Sequence, residues 1–590
     1  MEEQWCKGLV LVVLSRCYVV TVTSMDMGRL FFYTGGPFIS PGIDQFTIRL
    51  WVIMVIFLYI CFLLSLAAAS TVVDLGYASY EGRTLSSGVT QWLGMRFAAP
   101  PVGELRFAAP QDPLYVKGIQ QAIEHGSICI PTAGSEGQAV PAGTSEDCLF
   151  LDIYAPTAAG KSKKLPVYFF IQGGGFAGNA NANYNGTGLI NASGNNMVVV
   201  TFNYRVGPYG FLAGQEVEKG ASLNNGLKDQ RKALNWVQKY ISKFGGDPKH
   251  VVIGGGSAGA ASITLMLSAY GGRDDGLFVA AAAESQSFGH MLNVSESQFA
   301  YDALATATAC HSSQNTLACL RNLDINALQQ KNVNRPYPGA NGKPLFQYGP
   351  TIDEDLVADY TYRLFHEGKF IKVPVIFGDD TNEGTTFVPK STASVDEADT
   401  FIRNQFPSIK QAQISRINNM YLTENQTETF PGTGSYWRPA STAYGEMRYI
   451  CPGIDMSSVY ATAGVPSWNY HYAVQDPTNE SSGMGTYHTV EVNAIWGPTN
   501  TGNNHAPASY YTTNAEIVPV MQGYWTSFIT SLDPNTKRLP SSPKWETWGQ
   551  DGTGYRRIFI RTNKTKMETV SQGQRNRCKY LTSIGIDLKQ

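Results

Sequence analysis

The sequence predicts an α/β protein with one large, mostly parallel sheet that helices cover on both faces. Short apolar runs alternate with amphipathic segments from about residue 72 onward. Residues 227–244 show helical spacing, with Leu234, Val237 and Ile241 on one face. Alternation of strands and helices is typical of a parallel sheet buried on both sides. The clearest strand candidates are residues 165–171, 197–202, 251–253 and 373–377.

Length and charge restrict the classes of function. The chain has 590 residues, of which 43% are apolar, so it can bury a large core. We find no internal repeat and expect one large domain over residues 70–590. The net charge is −2, without a long run of either sign. A nucleic-acid partner is therefore not indicated, and a small or neutral substrate fits better.

The N-terminal region resembles a targeting segment. Residues 49–69 begin with Arg49, continue as an apolar stretch and end in Ala67-Ala68-Ala69. This pattern predicts a signal peptide that is cleaved near Ala69, and its length also permits a membrane anchor. We expect residues 1–48 to be an unstructured extension or an overextended start. Translation would then begin at Met25, Met27 or Met54.

Six cysteines in the main body suit three disulfides, as expected for an oxidising compartment. The pairs with short separations are Cys129–Cys148 and Cys310–Cys319, which leaves Cys451–Cys578. Buried free thiols are the alternative. No C-x-x-C or Cys/His cluster resembles a zinc site, so we expect no metal.

Acceptor sequons for N-glycans support the secretory pathway. The presence of six sequons, together with the paired cysteines, indicates a secreted protein that carries N-glycans. The sequons begin at Asn185, Asn191, Asn293, Asn425, Asn479 and Asn563.

A strand–turn–helix at residues 251–267 allows two kinds of chemistry. Gly255-x-Ser257-x-Gly259 matches the nucleophile elbow, in which glycines let a serine occupy a strained turn with its hydroxyl exposed. Because Gly254 and Gly256 also precede Gly259 at the spacing G-x-G-x-x-G, the same residues match a dinucleotide fingerprint.

The dinucleotide interpretation requires a second strand that ends in an acidic residue about twenty positions later. Asp274 and Asp275 lie at about this distance, but they follow a turn at residues 269–273 and no β run precedes them. The elbow requires an oxyanion loop upstream, then an acid and a histidine downstream. All three are present, so we favour the elbow.

The oxyanion loop is Gly173-Gly174-Gly175, directly after the strand candidate that ends at Ile171. Successive glycines let backbone amides approach a ligand without interference from side chains. Two such donors, together with the amide of Ala258, can face the oxygen that becomes negative during acyl transfer. A plain flexible turn is the alternative.

Three carboxylates compete for the role of the acid. Asp379, Asp380 and Glu383 follow the strand candidate 373–377, at the edge where such sheets place their active sites. For any one of them, a solvated surface position is the default.

Three histidines follow these acids. His505 lies in a polar loop and is expected to be solvated, and His471 alternates with aromatic residues like a strand residue. His488 lies between a glycine-rich turn and an apolar stretch. We favour His488, because a base on a loop fits that position better.

The chain resembles the type-B carboxylesterase/lipase family, which includes cholinesterases, fungal lipases and neuroligins. The resemblance runs from about Val72 to Cys578 and consists of ordered motifs. They are Gly94–Gly103, Ser145–Leu151, Gly173–Phe176, Asn203–Gly207, Asn225–Gln230, Phe244–Pro248, Ser257, Asn382–Thr385 and His488-x-x-Glu491.

The resemblance implies an α/β-hydrolase fold and a serine esterase that needs no metal or organic cofactor. It implies Ser257 as nucleophile, Glu383 rather than Asp379 as acid, and His488 as base. It also implies a positioning serine, Ser285, and the pairs Cys129–Cys148 and Cys310–Cys319. The implied oxyanion donors are the amides of Gly174, Gly175 and Ala258.

Departures from the family pattern bear on the substrate. Position 256 is glycine where many relatives have glutamate, which argues against a cationic alcohol. The loop of residues 130–147 has no tryptophan and is short and rich in glycine, alanine and serine. We therefore expect an esterase for soluble or modest-sized esters. The alternatives are a lipase for longer acylglycerols and a non-catalytic interaction protein, although all three triad residues are retained.

Overall fold

The computed structural model describes residues 71–159, 163–502, 506–552 and 554–590. The predictions for residues 1–48 and 49–69, and for His505, lie outside the described residues. Within these ranges, no helix is both long and apolar enough to cross a membrane.

The strands range in length from two to eleven residues. In chain order they are β1 (Val72–Asp74), β2 (Ser79–Glu81), β3 (Arg83–Thr84), β4 (Val89–Arg96), β5 (Ile119–Gln121), β6 (Ile128–Cys129), β7 (Thr144–Ser145), β8 (Phe150–Pro156), β9 (Leu165–Ile171), β10 (Val198–Phe202), β11 (Gly246–Gly256), β12 (Ala280–Glu284), β13 (Leu292–Asn293), β14 (Thr351–Ile352), β15 (Val375–Asp380), β16 (Ser467–Tyr472), β17 (Arg556–Ile560) and β18 (Lys566–Thr569).

Helices connect most of the central strands. They are α1 (Thr187–Ala192), α2 (Gly207–Phe211), α3 (Gln215–Gly220), α4 (Asn225–Tyr240), α5 (Ala258–Leu267), α6 (Ala269–Gly272), α7 (Val294–Ala307), α8 (Thr316–Asn322), α9 (Ile325–Gln329), α10 (Thr361–His366), α11 (Val395–Gln405), α12 (Gln411–Tyr421), α13 (Trp437–Gly445), α14 (Cys451–Thr462), α15 (Pro477–Ser481), α16 (Val492–Trp496), α17 (Ile517–Ser531) and α18 (Gln572–Ser583). A π-helical turn, Glu446–Ile450, joins α13 to α14.

Eleven strands form the main sheet in the order β18-β17-β16-β15-β12-β11-β9-β10-β8-β4-β3. The seven strands from β17 to β10 are parallel, and β8, β4, β3 and β18 pair antiparallel with their neighbours. The predicted class, a large and mostly parallel sheet, is therefore observed. Residues Thr71 to Gln590 form one compact unit.

The predicted strands differ from the observed ones mainly at their ends. The prediction began one strand at residue 373, whereas β15 begins at Val375 and continues through Asp380. Pro374 explains the later start, because proline has no amide to donate to a sheet ladder. Strand β11 is also longer than the predicted 251–253.

Apolar side chains fill both faces of the sheet. Along β9, Val167 and Phe169 belong to one buried cluster, whereas Tyr168 and Phe170 belong to the cluster on the other face. This alternation follows from the two-residue period of a strand. A third cluster, built from α11 to α14 and α18, packs beside the site described below.

Three disulfides close the body of the protein. They join the pairs expected from the sequence: Cys129–Cys148, Cys310–Cys319 and Cys451–Cys578. The last pair connects α14 with α18 across 127 residues. The other three cysteines lie outside the described residues.

A buried ion pair fixes the strand end before the glycine loop. Arg205 Nη2 donates to Asp229 Oδ1 over 2.7 Å, and both side chains are almost fully buried. Next to it, Tyr204 donates its hydroxyl to the carbonyl of Gln172 over 2.9 Å. The Gln172 amide in turn donates to Asn203 over 2.9 Å. The backbone before Gly173 is thus held by groups that are themselves anchored.

Candidate active site

Five neighbouring strands bring the predicted site residues to one edge of the sheet. In sheet order they are β16, β15, β12, β11 and β9, and they are mutually parallel. The loops after them carry, respectively, His488, Glu383, Ser285, Ser257 and the glycines 173–175. Ligands bind at this carboxyl edge in open α/β sheets.

Ser257 lies on a strained turn between β11 and α5. Its backbone has φ 58° and ψ −118°, a conformation that non-glycine residues rarely adopt. The turn is tight because Gly259 packs on the end of β9, where an added Cβ would lie 1.9 Å from the carbonyl oxygen of Ile171. Only glycine therefore fits at position 259, as the elbow pattern predicted.

The glycine loop lies against Ser257. A Cβ on Gly173 would lie 3.0 Å from the Cβ of Ser257. The Gly173 amide donates to Asn181, whereas those of Gly174 and Gly175 make no hydrogen bond with the described part of the chain. The amide of Ala258, first in α5, also has no acceptor within its helix. These three donors are free to bind an oxygen.

His488 is oriented by Glu383. Its Nδ1 atom is hydrogen-bonded to Oε2 of Glu383, and both side chains are almost fully buried. The other oxygen of Glu383 accepts the backbone amide of Asp380 over 2.7 Å. Phe387 and Tyr449 contact the imidazole, with ring centroids at 5.0 and 4.5 Å. Because Nδ1 faces a carboxylate, the proton lies there and Nε2 is left as a base.

His488 and Ser257 are not hydrogen-bonded to each other. Nε2 of His488 is buried and has no hydrogen-bond partner among the described residues, so the Ser257 hydroxyl is not bonded to it. The two loops nevertheless adjoin, since a Cβ on Gly256 would lie 3.7 Å from the methyl group of Thr489. Such contacts are often loose in ligand-free enzymes and tighten with substrate.

Ser285 holds the backbone after His488. Its hydroxyl accepts the amide of Thr489 and donates to Oε1 of Glu491, each over 3.1 Å. Asp380 accepts the next amide, that of Val490, over 3.2 Å. The loop that carries the imidazole is thus held by polar groups at the ends of β12 and β15.

A cluster of buried carboxyl groups lies behind the site. Burial raises the pKa of Asp379, Asp380 and Glu491, and repulsion between the carboxylates adds to this effect. After burial, repulsion from the Glu491 carboxylate is the largest cause of the raised pKa of Asp380. Asp379 and Asp380 are therefore not the solvated acids that were the default expectation.

Glu284, at the end of β12, is the site residue that the sequence analysis missed. Its carbonyl accepts the amide of Ser257 over 3.0 Å. Its carboxyl group accepts Trp525 Nε1 over 2.7 Å and the hydroxyl of Tyr168 over 3.0 Å. The sequence indicates only that Glu284 precedes Ser285. It does not indicate that Trp525 and Tyr168, which are distant in sequence, contact its carboxyl group.

The alternative candidates for the base and for the acid of a dinucleotide site bind other residues. His471 is a strand residue, as expected, and binds Glu568 over 2.9 Å. Asp275 pairs with Arg231 and Arg273 and precedes β12 instead of following a strand. The residues required for a dinucleotide site are therefore not arranged as one.

One group of three potential metal ligands occurs in the described ranges. It combines Glu446 with Cys451 and Cys578. Both cysteines are used in a disulfide and Glu446 binds Arg577 over 2.5 Å, so the group does not suit a metal.

A cavity extends from Gly175 along the first turns of α5. It has a volume of about 660 Å³, part of which is open to solvent. Small-molecule sites are commonly lined by apolar side chains. The large side chains in its wall are Phe176, Phe288, Met291, Tyr337, Phe346 and Tyr348.

Comparisons with known proteins identify the family. The profile of the carboxylesterase family matches residues 69–580. The chain belongs to the carboxylesterase family. Among solved structures, the chain is similar to EstA of Aspergillus niger, with 42% identity and a TM-score of 0.84 over 88% of this chain and 99% of EstA.

Fungal relatives match most of the chain. Secreted lipase 4 of Gibberella zeae is 28% identical over 526 residues, which are 84% of this chain and 90% of the relative. Secreted lipase 1 of Botryotinia fuckeliana is 30% identical over 532 residues, 83% of this chain and 88% of the relative. This carboxylesterase-family chain thus has the α/β-hydrolase fold and is a serine hydrolase that acts on ester bonds, as predicted.

The buried carboxyl of Glu284 should make stability depend on pH. Burial, and then repulsion from Glu491, raises the pKa of Glu284 to about 8. The unfolded chain loses this proton near the ordinary carboxyl pKa, so stability falls as the pH rises from about 5 to about 8. Glu284→Gln keeps an acceptor for Trp525 and Tyr168 but cannot ionise. We expect the unfolding free energy of this variant to fall less than that of the wild type over this pH range, with a difference of a few kcal/mol.

Urea unfolding measured at several pH values tests this expectation. Glu104→Gln, at an exposed position, is the control and should follow the wild-type curve. Equal pH slopes for wild type and Glu284→Gln would show that the Glu284 carboxyl is ionised in the folded protein.

Proposed function

We propose that Ser257, His488 and Glu383 hydrolyse carboxylic esters through an acyl-serine intermediate. The observation that carries the proposal is the buried imidazole of His488, which is fixed through Nδ1 by Glu383 and keeps Nε2 free beside the strained turn of Ser257. A free basic nitrogen in a water-poor position near a serine hydroxyl is the arrangement that activates a serine.

The reaction proceeds in two halves. Nε2 of His488 takes the Ser257 proton as Oγ attacks the ester carbonyl, and Glu383 stabilises the resulting imidazolium. The tetrahedral intermediate collapses, and His488 gives the proton to the departing alcohol. Water then adds to the acyl-serine, losing a proton to His488, and the acid leaves as the proton returns to Ser257.

The amides of Gly174, Gly175 and Ala258 stabilise the negative oxygen of both tetrahedral intermediates. Donors of this type typically contribute about 3 to 4 kcal/mol each at the transition state. The loop is closely packed at both glycines, which supports this role. A Cβ on Gly175 would lie 2.1 Å from Phe346, and one on Gly174 would lie 2.1 Å from the Gly178 carbonyl oxygen.

Ester preference is proposed to be for short and medium acyl chains. By resemblance to the family, the lid of an interfacial lipase corresponds to the segment between Cys129 and Cys148. Residues 134–139 are exposed there, and the segment is anchored by the Gly137 amide, which donates to the Gln330 carbonyl over 2.9 Å. A polar, anchored segment of this kind differs from the large apolar lid that interfacial lipases require. The names of the fungal relatives favour lipase activity as the second candidate.

Ser257→Ala should abolish esterase activity. We expect kcat/KM for p-nitrophenyl acetate to fall by about 10⁴-fold or more, because the nucleophile is removed. Ser268→Ala, at the other end of the same helix, is the matched control and should keep wild-type activity. Retention of substantial turnover by a folded Ser257→Ala protein would contradict the proposed nucleophile.

A series of p-nitrophenyl esters from acetate to palmitate should separate esterase from lipase. We expect kcat/KM to fall by about tenfold or more beyond medium chain lengths, since the bounded cavity limits apolar contact. Activity on tributyrin should show no jump at the solubility limit. A preference for palmitate, or strong activation by an emulsion, would favour the lipase.

We further propose that the protein is secreted after cleavage near Ala69 and carries N-glycans. The secreted relatives, the three disulfides and the sequons support this. Mass spectrometry of the secreted form should find an N-terminus near Ser70 and a mass loss after glycosidase treatment. An intact segment 50–69 in a membrane fraction would instead indicate a membrane anchor.

A further inference from the structure

A buried cation without an anionic partner lines the cavity beside Gly175. Arg448 is only 9% exposed, and its Nε atom has no hydrogen-bond partner among the described residues. The cavity wall contains no aspartate or glutamate. The groups that act electrostatically on the guanidinium are the phenols of Tyr337, Tyr444 and Tyr449, not carboxylates.

The acidic residue nearest to Arg448 in sequence already binds other side chains. Glu446 lies two residues before Arg448 in the same π-helical turn, but its carboxylate binds elsewhere. It accepts Arg577 Nε over 2.7 Å, Gln574 over 3.0 Å and the hydroxyl of Tyr421 over 2.5 Å. Four protein donors, counting the second Arg577 nitrogen, therefore saturate this group and leave Arg448 without it.

The guanidinium lies one aromatic ring away from the reacting groups. It stacks on Phe346 at 5.3 Å, and Phe346 packs directly on Gly175 of the oxyanion loop. On the other side, Arg448 lies 5.7 Å from the ring of Tyr449, which contacts His488. A substrate group at Arg448 would thus be separated from the ester carbonyl by about the length of a short chain.

We propose that Arg448 binds a carboxylate at the far end of the substrate's acyl group, so that the preferred substrates include half-esters of dicarboxylic acids. The proposal rests on the esterase function proposed for Ser257. An arginine fork matches a carboxylate with two parallel hydrogen bonds, and it is weakly hydrated enough to be used in buried sites. A buried charge is costly unless it is paired, which a bound carboxylate would achieve.

His290, the other basic side chain in the cavity wall, does not compete for this role. Burial lowers the pKa of His290 to about 4, so its imidazole is uncharged at neutral pH. Its Nδ1 atom is 3.1 Å from the carbonyl oxygen of Leu588, which places the proton on Nδ1. Among the side chains in the cavity wall, Arg448 alone carries a formal charge at neutral pH.

The test compares monomethyl adipate with methyl hexanoate, which has the same chain length but no second carboxylate. Methanol release is followed by proton NMR for wild type, Arg448→Lys and Arg448→Met. We expect the kcat/KM ratio of charged to neutral ester to fall by about tenfold or more in Arg448→Met, mainly through KM. Arg448→Lys should give an intermediate ratio, because it keeps the charge but loses the fork.

Arg556→Met is the matched control, since Arg556 pairs with Glu546 and does not line the cavity. Its ratio should equal that of wild type. An unchanged ratio in folded Arg448→Met would overturn the proposal. So would a loss confined to esters whose alcohol carries the carboxylate, such as the hexanoate ester of glycolic acid. Failure of wild type to hydrolyse methyl hexanoate would instead refute the esterase function itself.

Inhibition of the wild-type protein provides a second measurement that needs no variant. At constant ionic strength, adipate should inhibit methyl hexanoate hydrolysis competitively, at least about tenfold more strongly than 1,6-hexanediol. If Arg448→Met does not fold, equal inhibition by the dianion and the diol overturns the proposal.

Discussion

The position of His488 depends on carboxyl groups that are kept out of water behind it. Glu383 holds the ring, and Asp380, Ser285 and Glu491 hold the backbone that follows. Burial and mutual repulsion raise the pKa of Asp380 and Glu491, both of which lie away from solvent. The imidazole is thereby oriented by a network that water cannot easily replace.

The sheet makes this network possible. Parallel neighbours end at the same edge, so residues separated by more than two hundred positions meet there without long connecting loops. The serine comes from β11, the acid from β15 and the base from the segment after β16. A parallel bridge between Asn382 and Tyr487 then joins the acid and base loops directly. The alignment of strand ends therefore determines which residues can react together.

Much of this arrangement could be predicted from the sequence. The glycines around Ser257 and after Ile171 indicate backbone geometry, and that geometry is local. The choice among Asp379, Asp380 and Glu383 could not be made from the pattern, because all three follow the same strand. The choice depends on the direction of each side chain, and only the family resemblance pointed to Glu383. The burial of Glu284 and Arg448 was also not predictable, since their neighbours come from distant segments.

The disulfide Cys451–Cys578 has a consequence for how the protein should be produced. It ties α18 to the helix that follows the π-helical turn, and α18 also supplies Arg577 to Glu446 within that turn. Arg448 and Tyr449 belong to the same turn. A host cytoplasm that keeps thiols reduced would loosen the wall beside the imidazole while leaving the serine turn intact. Recombinant expression should therefore use an oxidising compartment.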